Sequence, residues 1–170
     1  GEASTLCGGA AEPAAKRRPN VVLIMTDDHG YGDLPCHGNR ELRTPNLDRL
    51  AAGGAMLNAF YVQPHSSQTR AALLTGRYPM RYGLQTLSVT RASAYGLPVE
   101  ERTLAQSLKA GGYRTAFVGK WQLGHAKPEF RPTRRGFDRF YGTLAGEIDH
   151  VRKAGAVGPD QLPWIGGAGR

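Results

Sequence analysis

The stretch YVQPHSSQTRAALLTGRYPMRYG, residues 61 to 83, gathers hydroxyls at Ser66, Ser67 and Thr69 and places Arg70 directly after them. A helix-like run follows and stops at Gly76. A serine at a helix start faces outward-pointing N–H groups and the positive end of the helix dipole, which together favour anions. Arg70, one turn on, can grip an oxyanion through its planar fork. The chemistry this suggests is nucleophilic attack by Ser66 on an anionic ester. The same residues also fit a plain serine-rich cap with an arginine on the helix face, and spacing alone does not separate the two.

Two further groups bear on that choice. Asp27 and Asp28 end the apolar run Val21 to Met25. Adjacent carboxylates repel unless a cation lies between them, and hard oxygens suit Ca²⁺ ahead of Mg²⁺. A turn with one aspartate as a cap explains the pair equally well. Lys120 follows the apolar segment Thr115 to Val118 in GKWQLGH and can meet the same anion as Arg70, or stand as a solvent-exposed loop lysine. His125 on that loop, and His29 and His37 after the acidic pair, are weaker candidates. Cation ligands, a nucleophile and positive side chains are together the parts of an anion–metal site.

The elements that must position these groups are readable in outline. Val21 to Met25 reads as a strand buried on both faces of a parallel sheet. TPNLDRLAAGGA reads as a helix with Thr44 as its cap, Pro45 in its first turn and Gly53-Gly54 as its stop. AMLNAFYV reads as a short strand, 68–75 as a short helix, 84–99 as loop, 103–110 as a helix and 115–118 as a strand. Alternating strands and helices make the class α/β, with a doubly wound, largely parallel sheet between flanking helices. Ligands in such sheets bind beyond the carboxyl ends of the strands, where Asp28 and Lys120 are expected. Residues 1–18 read as a flexible tail, 19–149 as the ordered region and 150–170, rich in glycine, as an irregular tail without strand or helix.

The chain has 170 residues, enough for one domain with a sizeable core. Its net charge of +8 favours anionic partners. The basic residues are dispersed, and the clusters KRRPN and RPTRRGF lack interleaved aromatics, which argues against nucleic acid. No apolar run approaches the roughly 20 residues that span a bilayer. Two cysteines, Cys7 and Cys36, form no CxxC or zinc spacing.

RPNVVLIMTDDHGYGDL, TPNLDRLAAGG, SSQTRAALLTGRYPMRYGLQ, GYRTAFVGKWQLGH and PTRRGFDRFYG occur in the order found in sulfatases. Residues 18 to 149 resemble the N-terminal part of a type I sulfatase of the alkaline phosphatase superfamily. TGRYPMRYGLQ and RPTRRGFDRF are most similar to the arylsulfatase B-like branch. The resemblance implies a sulfuric ester hydrolase with calcium ligands at Asp27, Asp28 and the Ser66 position. It implies Arg70 as the residue stabilising that position and the cation, and Lys120 as the sulfate contact. Ser66 stands where the family has a cysteine converted to formylglycine. The hydrated aldehyde offers one hydroxyl to attack sulfur, and the other expels sulfate afterwards. Implied partners are a sulfated small molecule or sulfated glycan and, where Ser66 is matured, a formylglycine-generating enzyme. The implied location is secreted, periplasmic or lysosomal.

The departures carry expectations of their own. Ser66 replaces the cysteine and Gln68 a proline. An unmodified serine has no second hydroxyl with which to expel sulfate, so it is expected to turn over at most once. Gln122 stands where the family has a catalytic histidine and carries no proton at neutral pH. Two other readings remain open: a serine-dependent phospho-hydrolase of the same superfamily, and an inactive relative that binds sulfated glycans through residues such as Arg134 and Arg135.

Overall fold

The computed structural model describes residues 18–86 and 88–146 and the backbone of a strand at 165–168. The chain divides between Gly54 and Ala55 into two compact units.

In the first unit, residues 18–26 run on without regular structure. Val22 and Ile24 are 82% and 80% exposed. The buried strand expected at Val21 to Met25 is therefore not formed. An apolar, β-branched run favours extension, but strand burial and ladder hydrogen bonds come from neighbouring strands, and the described residues of this unit contain none. The helix α1, Pro45–Gly53, forms as expected, with Pro45 in its first turn. Thr44 precedes it, but its hydroxyl donates to Asp48 Oδ1 at 3.3 Å and caps no backbone N–H.

The second unit opens with an exposed stretch, 55–62, that turns at Asn58-Ala59. The strand expected there is also absent, since its apolar side chains have nothing to pack on: Phe60 and Tyr61 are 65% and 87% exposed. Helix α2 spans Ser66–Thr75 and ends at Gly76, whose φ of 66° lets its N–H reach Ala72 O at 2.8 Å. Helix α3, Leu104–Ala110, starts at a reciprocal capping box: Thr103 Oγ1 accepts from Gln106 N, and Gln106 Oε1 accepts from Thr103 N.

Strand β1, Ala116–Lys120, pairs in parallel with β2, Arg139–Thr143, in the register Phe117 to Phe140 and Gly119 to Gly142. A Cβ at Gly142 would overlap the carbonyl of Gly119, so only glycine fits that crossing. Pairing continues from β2 antiparallel to β3, Ile165–Ala168. The expectation that 150–170 holds no strand is thereby corrected. The edge of β2 offers N–H and C=O groups that any backbone can take, whatever its side chains. Phe117, Phe137, Phe140 and the buried Trp121 form the aromatic part of the core, with Phe117 edge-on to Trp121 at 5.5 Å. Ala71 and Leu74 of α2 pack into the same cluster.

A charged network under this core ties α2, α3 and the segment before β2. Arg77 Nη1 donates to both oxygens of the buried Glu101, at 2.7 Å to Oε2. Arg135, 1% exposed, donates from Nη2 to Glu101 O at 2.7 Å and to Pro98 O at 2.9 Å. Burial lowers the Arg135 guanidinium from its ordinary range. Thr103 Oγ1 donates to Arg135 O at 2.7 Å while capping α3. Farther along, Asp138 accepts from Thr115 N at 2.9 Å and lies 2.6 Å from Lys109 Nζ.

Replacing Thr103 by Ala removes a helix cap and orphans a buried carbonyl, so unfolding by urea should show a loss of about 1–3 kcal/mol, most of it recovered in Thr103→Ser. The Asp138 carboxyl is held down to about 2 from 3.8, first by its hydrogen bond to Lys109 and then by the Thr115 N–H. A lowered folded-state pKa gives stability that is present above the unfolded value and lost as pH falls through the folded one. The gap in urea midpoint between wild type and Asp138→Asn should therefore be full at neutral pH and close between about pH 4 and about pH 2.

Candidate functional site

The site is built by α2 and the end of β1. His65, extended at φ −121° and ψ 150°, leads into α2, so Ser66 is the first helical residue. Arg70, one turn later, is 8% exposed. Its Nε donates to Ser66 Oγ at 2.9 Å, and its Nη1 donates to Lys120 O at 2.6 Å. One buried cation thus holds both the candidate nucleophile and the end of β1. Lys120 is the last residue of β1, at the strand's carboxyl end as expected, and is half-buried.

Beyond Lys120 the backbone turns sharply. Gln122 has φ 52°, a left-handed conformation uncommon for a residue with a side chain. Its N–H donates to Leu144 O at 3.1 Å, and its carbonyl accepts from Ser67 Oγ at 3.0 Å. Trp121 N donates to Thr143 O at 2.8 Å. Gln122 Oε1 is buried without a hydrogen-bond partner, and its amide lies against Gly146, where a Cβ would collide with it.

Ser66, Arg70 and the backbone of Lys120 and Gln122 therefore come together in the second unit. Asp27 and Asp28 belong to the first unit, where both are exposed and Asp28 has φ 52°. Two adjacent carboxylates are the donor type that calcium takes, but they supply only part of its usual six to eight oxygens. Among the described residues no group of three or more His, Cys, Asp or Glu could hold a metal ion. Of the histidines, His125 Nε2 donates to Arg91 O at 2.9 Å, and His37 stacks on Tyr31 at 3.9 Å.

The structure adds three residues to which sequence reasoning assigned no such place. Ser67 is fully buried and accepts from Val89 N at 2.9 Å as well as donating to Gln122. Gln68 is 2% exposed, and neither its amide oxygen nor its nitrogen has a hydrogen-bond partner. Arg135, read from the sequence as a glycan-facing cation, is a buried tie between carbonyls; only its neighbour Arg134 is exposed. The double arginine in a Pro- and Gly-flanked turn gave no sign of which one pointed inward. Among the described residues no helix is long and apolar enough to cross a membrane.

The sulfatase family model matches residues 19–155. The chain is 51% identical over 143 residues to arylsulfatase A of Homo sapiens, an alignment covering 82% of this chain and 28% of that protein. It is 48% identical over 143 residues to the steryl-sulfatase of Homo sapiens, covering 78% and 24%. The chain thus spans about a quarter of the length of these curated relatives. Among solved structures, Ps i-CgsB superposes with a TM-score of 0.73 at 40% identity, over 76% of this chain and 29% of that one. The same protein has been solved in complex with k-i-k-neocarrahexaose. The fold class is accordingly α/β of the alkaline phosphatase-like kind, read from β1, β2 and their flanking helices. With the family match running through α2, β1 and β2 alike, this chain belongs to the sulfatase family.

Proposed function

We propose that this chain carries the nucleophile-bearing part of a sulfuric ester hydrolase site. Ser66 is the nucleophile position, Arg70 and Lys120 meet the sulfuryl oxygens, and Gln122 lines the site without moving a proton. The observation that carries this reading is the double hydrogen bond of Arg70 to Ser66 Oγ and Lys120 O. It brings a hydroxyl, a guanidinium and the base of a lysine to one helix start, inside a sequence of sulfatase type.

The chemistry of the unmodified serine follows from its atoms. Ser66 Oγ attacks sulfur, the bond from sulfur to the ester oxygen breaks, and the alcohol departs carrying the proton that Ser66 loses. Sulfur ends on Oγ as a sulfate ester. Arg70 and Lys120 neutralise charge on the transferring group, which is where fixed cations lower a barrier most. Gln122 donates hydrogen bonds but offers no acid or base at neutral pH. The sulfo-serine therefore persists, and turnover is impaired.

Two groups implied by the family belong to the same proposal. Calcium, ahead of magnesium, is the ion that Asp27 and Asp28 suit, as hard carboxylate donors of the kind it takes. Oxidation of Ser66 to formylglycine would supply the second hydroxyl that releases sulfate. Ser66 is half-buried at a helix start, with room on Oγ for one donated hydrogen bond from Arg70. The substrate class is a sulfated small molecule or glycan, supported by relatives named for aryl, steryl and N-acetylgalactosamine sulfates. A secreted, periplasmic or lysosomal setting is part of the proposal.

Mixing the chain with nitrophenyl sulfate tests the reading. The expected outcome is release of no more than one nitrophenol per chain, a sulfo group on the peptide containing Ser66 by mass spectrometry, and neither in Ser66→Ala. Sustained turnover together with a Ser66 peptide lighter by two hydrogens would show the matured form and overturn the impairment. Equal release by Ser66→Ala would remove the nucleophile assignment.

A further inference from the structure

Ser67 stands beside the proposed nucleophile but is turned the other way, fully buried. Its hydroxyl makes two contacts distant in sequence. It accepts from Val89 N at 2.9 Å and donates to Gln122 O at 3.0 Å. One hydroxyl supplies one donated and one accepted bond here, so both backbone partners are satisfied by a single side chain.

The donated bond falls on a strained residue. Gln122 is held at φ 52° although it is not a glycine. Such a conformation persists only where the surroundings over-determine it, and it clusters at functional sites. The surroundings here are few: the Gln122 N–H is fixed by Leu144 O, and its carbonyl is fixed by Ser67. Two residues earlier, Lys120 O is fixed by Arg70. The segment 120–122, which carries both Lys120 and Gln122, is thus clamped to the first turns of α2 by two side chains. Arg70 is one; Ser67 is the other.

We propose that Ser67 is a positioning residue. Its hydroxyl holds the Gln122 peptide in the left-handed conformation and so sets where Lys120, two residues earlier, presents its side chain to the anion beside Ser66. The inference rests on the function proposed above, but its mechanical part stands separately. Ser67 touches no substrate atom; it acts through position 122 and through the Val89 backbone.

The test compares wild type, Ser67→Ala, Ser67→Thr and Ser67→Cys in the full chain, with inorganic sulfate as the probe and backbone hydrogen exchange as a second readout. In Ser67→Ala, sulfate affinity should fall by about tenfold, in line with the loss of a buried hydrogen bond, and exchange at Val89 and Gln122 should quicken while β2 exchanges as before. Ser67→Thr keeps the hydroxyl and should restore both. Ser67→Cys keeps the volume with a weaker hydrogen bond and should fall between, which preserves the comparison if the alanine variant does not fold. Unchanged sulfate affinity in a folded Ser67→Ala, or equal loss in the threonine and alanine variants, overturns the role toward the anion. If wild type binds no sulfate, the function proposed above fails on its own. In that case unchanged exchange at Val89 and Gln122 in Ser67→Ala overturns the clamp, and faster exchange supports it.

Discussion

The second unit is organised around the guanidinium of Arg70. A buried cation is costly to desolvate, and it is tolerated where its donors are directed at fixed acceptors. Arginine suits the place better than lysine because its planar fork can serve a side-chain oxygen and a backbone carbonyl at once. Nε reaches Ser66 on the same helix, and Nη1 reaches Lys120 at the end of β1. Remove that bridge and α2 still packs through Ala71 and Leu74, and Ser67 still holds Gln122 O, but Ser66 and the end of β1 lose the donor they share. The candidate site is a consequence of helix, strand and one arginine meeting.

How much of this was legible in the sequence depends on whether a signal was local. Helix α3 and its start at Thr103 were readable because the capping box lies within four residues. The end of α2 at Gly76 and the placing of Lys120 at a strand end were readable for the same reason. Strand β2 was not, since RFYGT mixes a charge, hydroxyls and a glycine, and the need for glycine at 142 shows only in the register with β1. The run Val21 to Met25 shows the opposite failure. Its composition is that of a buried strand, yet strand formation is a property of a pair, and no partner strand lies in its unit among the described residues. Strand β3 forms from a glycine-rich segment because β2 offers an edge.

The site divides along the same line. Ser66, Arg70 and Lys120 could be named from motif order, and the structure brings them together. Ser67 could not be distinguished from its neighbour, because one hydroxyl faces the helix start and the other faces the interior, a difference of one helical position. Arg134 and Arg135 differ in the same way, one solvated and one buried. Gln68 and Gln122 both carry buried amide atoms without hydrogen-bond partners. They are also the positions read from the sequence as departures from the proline and histidine of the sulfatase pattern. A buried amide atom without a partner costs stability, because nothing offsets its desolvation.

The central claim is that Arg70 makes one anion site from the first turn of α2 and the end of β1. Two-dimensional NMR of the isotopically labelled chain, titrated with sulfate, tests it most directly. The account predicts saturable shifts of the Ser66 to Thr69 amides and of the Arg70 Nε–H, lost in Arg70→Lys although that variant keeps the charge. Sulfate shifts confined to other residues, or retained in full by Arg70→Lys, would contradict it.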